Sequence, residues 1–201
     1  MFGVPSKHEV GKPAPGESVH SALALVNSRR NGPNGQIDEL ASTAQLCRWL
    51  TGHHVVAVQA CDSAALHSVI ALRDAVRELL RARIEGRTPD PNSLQAVNQA
   101  AAAAPTARLL DWPSVDGPSE RRDCLGAGGI TLARALLAEN AIELVVGPTH
   151  ADLRACGAPG CVRLLLKDHP RRQWCSTRCG DRVRANRYYH RHHPETGETA
   201  R

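Results

Sequence analysis

Two closely spaced cysteine pairs, Cys156-x4-Cys161 and Cys175-x3-Cys179, constrain this chain more than any other feature, because the residues around them cannot fold on apolar burial alone. A segment of about forty residues with so little hydrophobic bulk needs a staple. Four thiolates supplied as two bidentate knuckles make a closed tetrahedral zinc site with no open position for substrate or water. Metal binding then provides the folding free energy that a missing core cannot. A thioredoxin-type redox centre would need C-x-x-C at a helix start, and neither pair has that spacing. His169, His190, His192 and His193 compete as ligands. Four cysteines already satisfy the ion, so the histidines are expected to face solvent or phosphate.

The neighbouring residues extend the same reading. Val162, Leu164, Leu165 and Leu166 suit a short strand, Trp174 is placed to cover the thiolates, and Gly180 puts a small residue beside them. From Asp181 to about His192 the chain reads as a helix, with Arg184, Arg187 and Arg191 on one side and Arg178 and Arg182 in an adjacent row. Guanidinium groups on a rigid helix suit phosphate clamping and guanine edges. Together with Arg171 and Arg172 they are the candidate nucleic-acid contacts. Tyr188 and Tyr189 either stack on bases or pack on the leucine strand, and Asp181 either orients Arg182 or caps backbone N–H groups.

Charge is distributed to match. The whole chain carries +5, whereas residues 154–193 hold ten Lys or Arg against two Asp, a net of +8, leaving 5 − 8 = −3 for the rest. A basic C-terminal module on a mildly acidic body points to a polyanion contact at one end.

The body is expected to be helical, since 42% of residues are hydrophobic but only 3% aromatic, a balance that favours Leu- and Ala-based helices over sheet. Ser63 to Glu85 is the clearest helix, with Leu66, Val69, Ile70, Arg73, Val76, Leu79, Leu80 and Ile84 along one face. Ser42 and Gln45 suggest a capping box for a helix burying Leu46, Trp49 and Leu50. Further helices are expected over 92–104, burying Leu94 and Val97, and over 130–146, with a helical turn around 152–155. Residues 20–30 fit either a helix or a strand, 31–36 read as a loop, and 110–122 as an irregular excursion or short hairpin. GAGG at 126–129 lacks the Lys-Ser/Thr of a phosphate loop and reads as a turn.

Seven cysteines, an odd number, argue against an extracellular disulfide scaffold, and Cys47 and Cys61 read as small buried hydrophobes. No leader pattern and no apolar run of about 20 residues is evident, so a cytoplasmic, nucleoid-associated protein without membrane contact is expected. No GxSxG, HExxH or Walker motif occurs, His53 and His54 are expected to point apart, and Asp38 with Glu39 reads as a solvated turn. An enzyme is not expected.

WCSTRCGDR at 174–182, preceded by CGAPGC, resembles the CGNR zinc finger motif. LALVNSRR at 23–30, LCRWL at 46–50 and LHSVIALRDAVRELLRARIEG at 66–86 resemble the ABATE domain usually joined to that finger. The resemblance implies a bacterial transcription regulator with Cys156, Cys161, Cys175 and Cys179 as zinc ligands, and Cys179, Gly180 and Arg182 matching the signature. Asp181 stands where the motif has Asn, and Arg184 where Lys is usual. The combined expectation is a mainly α protein: a mobile arm (1–18), an alanine-rich helical domain with room for one small strand pair (19–149), a zinc-stapled strand and helix module (150–193) and a tail (194–201). Its partners would be duplex DNA and either a second copy or the transcription machinery; a protein-interaction adaptor is the alternative function.

Overall fold

The computed structural model describes residues 12–32, 35–113, 117–124 and 126–192. Six helices and three antiparallel strand pairs occur among them: α1 (Ser21–Asn27), β1 (Arg29–Gly32), β2 (Gly35–Asp38), α2 (Thr43–Gly52), α3 (Ser63–Glu85), α4 (Pro91–Ala102), β3 (Thr106–Asp111), β4 (Ser119–Cys124), α5 (Gly129–Val146), β5 (Leu153–Ala155), β6 (Leu164–Leu166) and α6 (Thr177–His192).

α3 forms where the three- and four-residue apolar steps predict it. The Asp62 carboxylate accepts from Ala65 N at 2.7 Å to start it, and Gly86, in the left-handed region at φ 67°, ends it. Its inward face meets α1, α4 and α5 around a core that includes Leu23, Leu25, Val69, Val76, Leu80, Leu137 and Leu144. Ser42 caps α2, accepting from Gln45 N at 3.3 Å, and Leu46, Trp49 and Leu50 are buried as the pattern requires. α4 differs from expectation in its facing: Val97 and Ala100 are buried, while Leu94 is 43% exposed.

The strand content exceeds the single pair anticipated. β1 and β2 pair antiparallel within 29–38, with Arg30 opposite Ile37, although the Gly, Asn and Pro density of 31–36 reads as loop. β3 and β4 form a second pair in register from Thr106 opposite Cys124 to Asp111 opposite Ser119. The helical turn expected at 152–155 lies earlier, as a 3-10 turn over Pro148–Asp152, and 153–155 is strand instead.

Three polar groups occupy positions unlike those expected. Arg73, on the apolar face of α3, is 2% exposed and donates to both Asp38 oxygens at 2.7 and 3.0 Å, so Asp38 is an ion-pair partner rather than part of a solvated turn. Burial raises the Asp38 carboxyl, and the Arg73 bonds outweigh that to hold it below its usual value. Cys47 and Cys61 are half-buried and joined as a disulfide, not packed as free thiols; the fold of α2 back toward the start of α3 brings them together.

Residues 12–18, expected as part of a mobile arm, are packed: Ala14 is buried beside the cysteine cluster, and Leu166 N donates to Pro15 O at 2.9 Å. Gly16 sits at φ 93°, and a Cβ there would lie 2.9 Å from the Leu166 side chain, so this close approach requires glycine. The remainder of the arm, 1–11, and the tail 194–201 lie outside the described residues.

β5 and β6 attach the cysteine module to the body. Successive side chains of a strand face opposite ways. Leu164 and Leu166 of β6 accordingly pack on the helical core with Leu153 of β5, while Leu165 joins the cysteine cluster. The Asn27 side chain, at the end of α1, acts as a strand partner: its amide donates to Leu164 O at 2.7 Å and its oxygen accepts from Leu164 N at 2.9 Å. The same amide donates to Glu17 Oε1 at 2.6 Å, and Arg163 Nη2 donates to that oxygen at 2.7 Å, an ion pair with both side chains 9% exposed. From α3, Arg77 donates to Val162 O at 2.8 Å and also to Val26 O. Burial first, then the neighbouring guanidiniums of Arg81 and Arg73, pushes Arg77 down to about 10, still charged at neutral pH.

Candidate metal centre

The cage is assembled from three local structures. Cys156 follows β5, and its N–H donates to Arg163 O at 2.9 Å, closing the hairpin around the first knuckle. The turn to Cys161 is set by Cys161 N donating to Ala158 O at 3.0 Å. Cys175 immediately precedes α6, its N–H donating to Cys156 Sγ at 3.3 Å, and Cys179 sits in the first turn of that helix. The helix therefore starts four residues before the expected Asp181, and the second knuckle is its N-terminal turn.

The four sulfurs lie within 4.8 Å of one another; Cys161 to Cys175 is 3.7 Å and Cys175 to Cys179 is 3.6 Å. A zinc–sulfur bond of about 2.3 Å puts the corners of a tetrahedron about 3.8 Å apart. The donor set thus fits a zinc ion in type, number and spacing. The sulfurs also act on one another: bonds from Cys161 and Cys175 push the Cys156 thiol down to about 2, while donating to Cys156 pushes Cys161 up to about 11 and raises Cys175. Four thiolates this close repel, and all four ionise together only around a cation.

Trp174 is half-buried against the cluster, as its position beside Cys175 suggests. Gly180 permits that approach, since a Cβ there would lie 3.1 Å from the Trp174 ring. Above the ring, the Arg184 guanidinium stands 5.9 Å from the centroid.

The seven arginines singled out from the sequence divide by occupation. Arg182 Nη2 donates to Pro159 O at 2.9 Å, latching α6 to the first knuckle. Arg184 donates to Asp181 at 2.5 Å, so Asp181 engages Arg184 rather than Arg182. Arg172 is paired with Asp168. Arg178 and Arg187 are exposed with no side-chain acceptor among the described residues, Arg171 is exposed likewise, and Arg191 reaches only Arg187 O at 3.3 Å.

Val183 is the last buried side chain of α6 among those described. Tyr188 and Tyr189 are 60% and 58% exposed, so neither packs on the leucine strand. His192 packs at a tilt on Tyr188 with ring centroids 4.2 Å apart and is not part of the four-cysteine cluster, and His169 Nδ1 accepts from Arg171 N. His193 lies outside the described residues. Among the described residues no helix is long and apolar enough to cross a membrane.

The residues that fasten the cage to the body, Glu17, Asn27, Arg77 and Arg163, carry no local sequence signal. Each makes its point through a partner distant in the chain, 146 residues apart for Glu17 and Arg163.

Residues 19–148 match the family model for ABATE, "Putative stress-induced transcription regulator", and residues 153–192 match the model for the CGNR zinc finger. Neither of these is a catalytic family. No curated protein matches the chain.

Proposed function

Because the chain belongs to the ABATE family of transcription regulators and carries a CGNR zinc finger, we propose that it binds zinc through Cys156, Cys161, Cys175 and Cys179 and duplex DNA through α6. The observation that carries the DNA reading is the helix itself. Beyond Val183 its described side chains are all exposed, over a length of about 13 Å, and they include the Arg187 guanidinium, which has no side-chain acceptor among the described residues, and two exposed tyrosines. A helical stretch with no face to bury is built for a partner, and five arginines against one aspartate over the whole of α6 make that partner anionic. Arg178, Arg187 and Arg191 are the primary contacts, with Arg171 beside them. Arg182 and Arg172 hold the module together instead, and Arg184 becomes available only when Asp181 releases it. So small a footprint specifies few bases, so a second copy or the transcription machinery completes the site.

Anisotropy with a labelled random duplex, titrated across salt, tests this. Three to four phosphate contacts give a log–log slope of about −3. Arg187→Ala lowers affinity and flattens the slope by about 0.9. Affinity independent of salt would contradict the DNA reading. One observation favours the adaptor alternative: β3 and the residue that follows it expose Leu110 at 72% and Trp112 at 67%. Retention of an acidic protein from extract by the Arg187→Ala variant, lost on Trp112→Ala, would support that function.

A further inference from the structure

We propose that Cys47 and Cys61 form a reversible thiol–disulfide site, exchanging with low-molecular-weight disulfides, that fastens or releases the segment 53–61. This inference is independent of the DNA reading. Their Cα atoms are 6.0 Å apart, inside the range a disulfide spans without backbone movement. Cys47 is in the middle of α2, and Cys61 directly precedes Asp62, the cap of α3. The bond therefore clamps the connection between two helices at both ends.

That connection has little else to hold it. Val55 N donates to Leu50 O at 3.0 Å, and the next main-chain bond along the chain is Leu66 N to Asp62 O at 3.1 Å; residues 56–61 make none among the described residues. Val55, Val56 and Val58 rest against the core only partly buried. A segment with few main-chain bonds and half-buried contacts belongs to the low-stability end of a fold. Closing a loop of this size with a disulfide shifts its opening equilibrium by about a hundredfold.

Access and consequence are both visible. The half-buried Cys61 lines an open cleft of about 570 Å³ with Ser68 and Ile130, which leaves room for a small thiol beside it. At the other end of the segment, His53, His54 and Val55 contribute a wall to a second cleft of about 610 Å³, also lined by Glu17, Ser21 and Leu136. Release of the segment moves that wall. In the closing step, one cysteine thiolate attacks the small disulfide and expels one thiolate, forming a mixed disulfide. The other cysteine thiolate then attacks the protein sulfur and expels the second. Two protein thiols are oxidised, one small disulfide is reduced to two thiols, and the two protons pass to the expelled thiolates. Metal bound in the cage would keep its four sulfurs reduced while this pair is oxidised, so the two cysteine groups respond separately.

The test uses the full, zinc-loaded chain in glutathione buffers of graded oxidised-to-reduced ratio, with alkylation and peptide mass spectrometry. Cys47 and Cys61 should titrate together and reversibly, with zinc constant and the four cage cysteines unlabelled. Thermolysin cleavage before Val55, Val56 or Val58 should run about a hundredfold faster in the reduced form. Cys47→Ser should be cleaved at the reduced rate in every buffer; should that variant not fold, the wild-type titration still decides. A pair that stays reduced in the oxidised buffers, one that resists excess glutathione, zinc loss in the same range, or equal cleavage of both forms would each overturn the proposal.

Discussion

Asp181 sets how much charge α6 presents. Its carboxylate holds Arg184 at 2.5 Å, and both side chains are largely exposed, so the pair costs little to separate. Asp181→Asn should free one guanidinium, raising duplex affinity about three- to fivefold at low salt and steepening the salt slope by about 0.9, measured by anisotropy. Asn27 is the opposite case, a buried polar group with no solvent to fall back on. Asn27→Ala leaves Leu164 N–H and C=O unpaired and should cost about 3 kcal/mol by chemical denaturation. Of these two residues only the first is readable in advance. Asp181 stands out in a basic run, whereas Asn27 closes an apolar stretch and its partner is 137 residues away.

At the scale of elements, the joint between α3 and α4 shows what local electrostatics adds. Arg87 donates to both Glu78 oxygens at 2.5 and 2.9 Å, and Asp90 N–H donates to Glu78 at 3.2 Å. The Arg87 bonds, then the Asp90 N–H, hold the Glu78 carboxyl down at about 2 against an ordinary 4.5. A lowered folded value stabilises above pH 4.5 and is lost as pH falls toward 2. Glu78→Gln should therefore lower the melting temperature by about 1–2 °C at pH 7, a small effect because solvent screens the pair, and by nothing near pH 2. Periodicity reveals α3 because its stripe runs for some six turns. It is silent about β1–β2, four-residue strands that end on paired glycines, Gly32 opposite Gly35, and about 153–155, too short to carry a period. The facing of α4 escapes it as well, because alanines supply the inward surface and leave Leu94 outside.

For the molecule as a whole, the cage and the helical body share one stability. Leu153 and Leu164 are part of the main core, so the module cannot melt without exposing it. Chelation of the metal should lower the calorimetric melting temperature of the entire chain by more than about 10 °C, and heat should produce a single transition with metal bound. Two well-separated transitions would contradict this. The cysteine spacing makes the cage legible from sequence because ligand chemistry is local. The docking is not legible: residues 12–18 have the Pro and Gly content of a free arm, and only the folded chain shows Ala14 against the cysteine cluster and Glu17 on Arg163.

The alternating leucines of β6 bear on how far this finger is portable. One of its strands faces two cores at once, so a graft of residues 153–192 onto another protein would carry Leu153, Leu164 and Leu166 into water as an uncovered apolar strip, with the Leu164 amide and carbonyl stripped of Asn27. Such a fragment should aggregate even when loaded with zinc, and regain a dispersed amide spectrum only when the α1 surface and residues 12–17 travel with it. The unit of inheritance for this finger is therefore larger than the span its cysteines enclose.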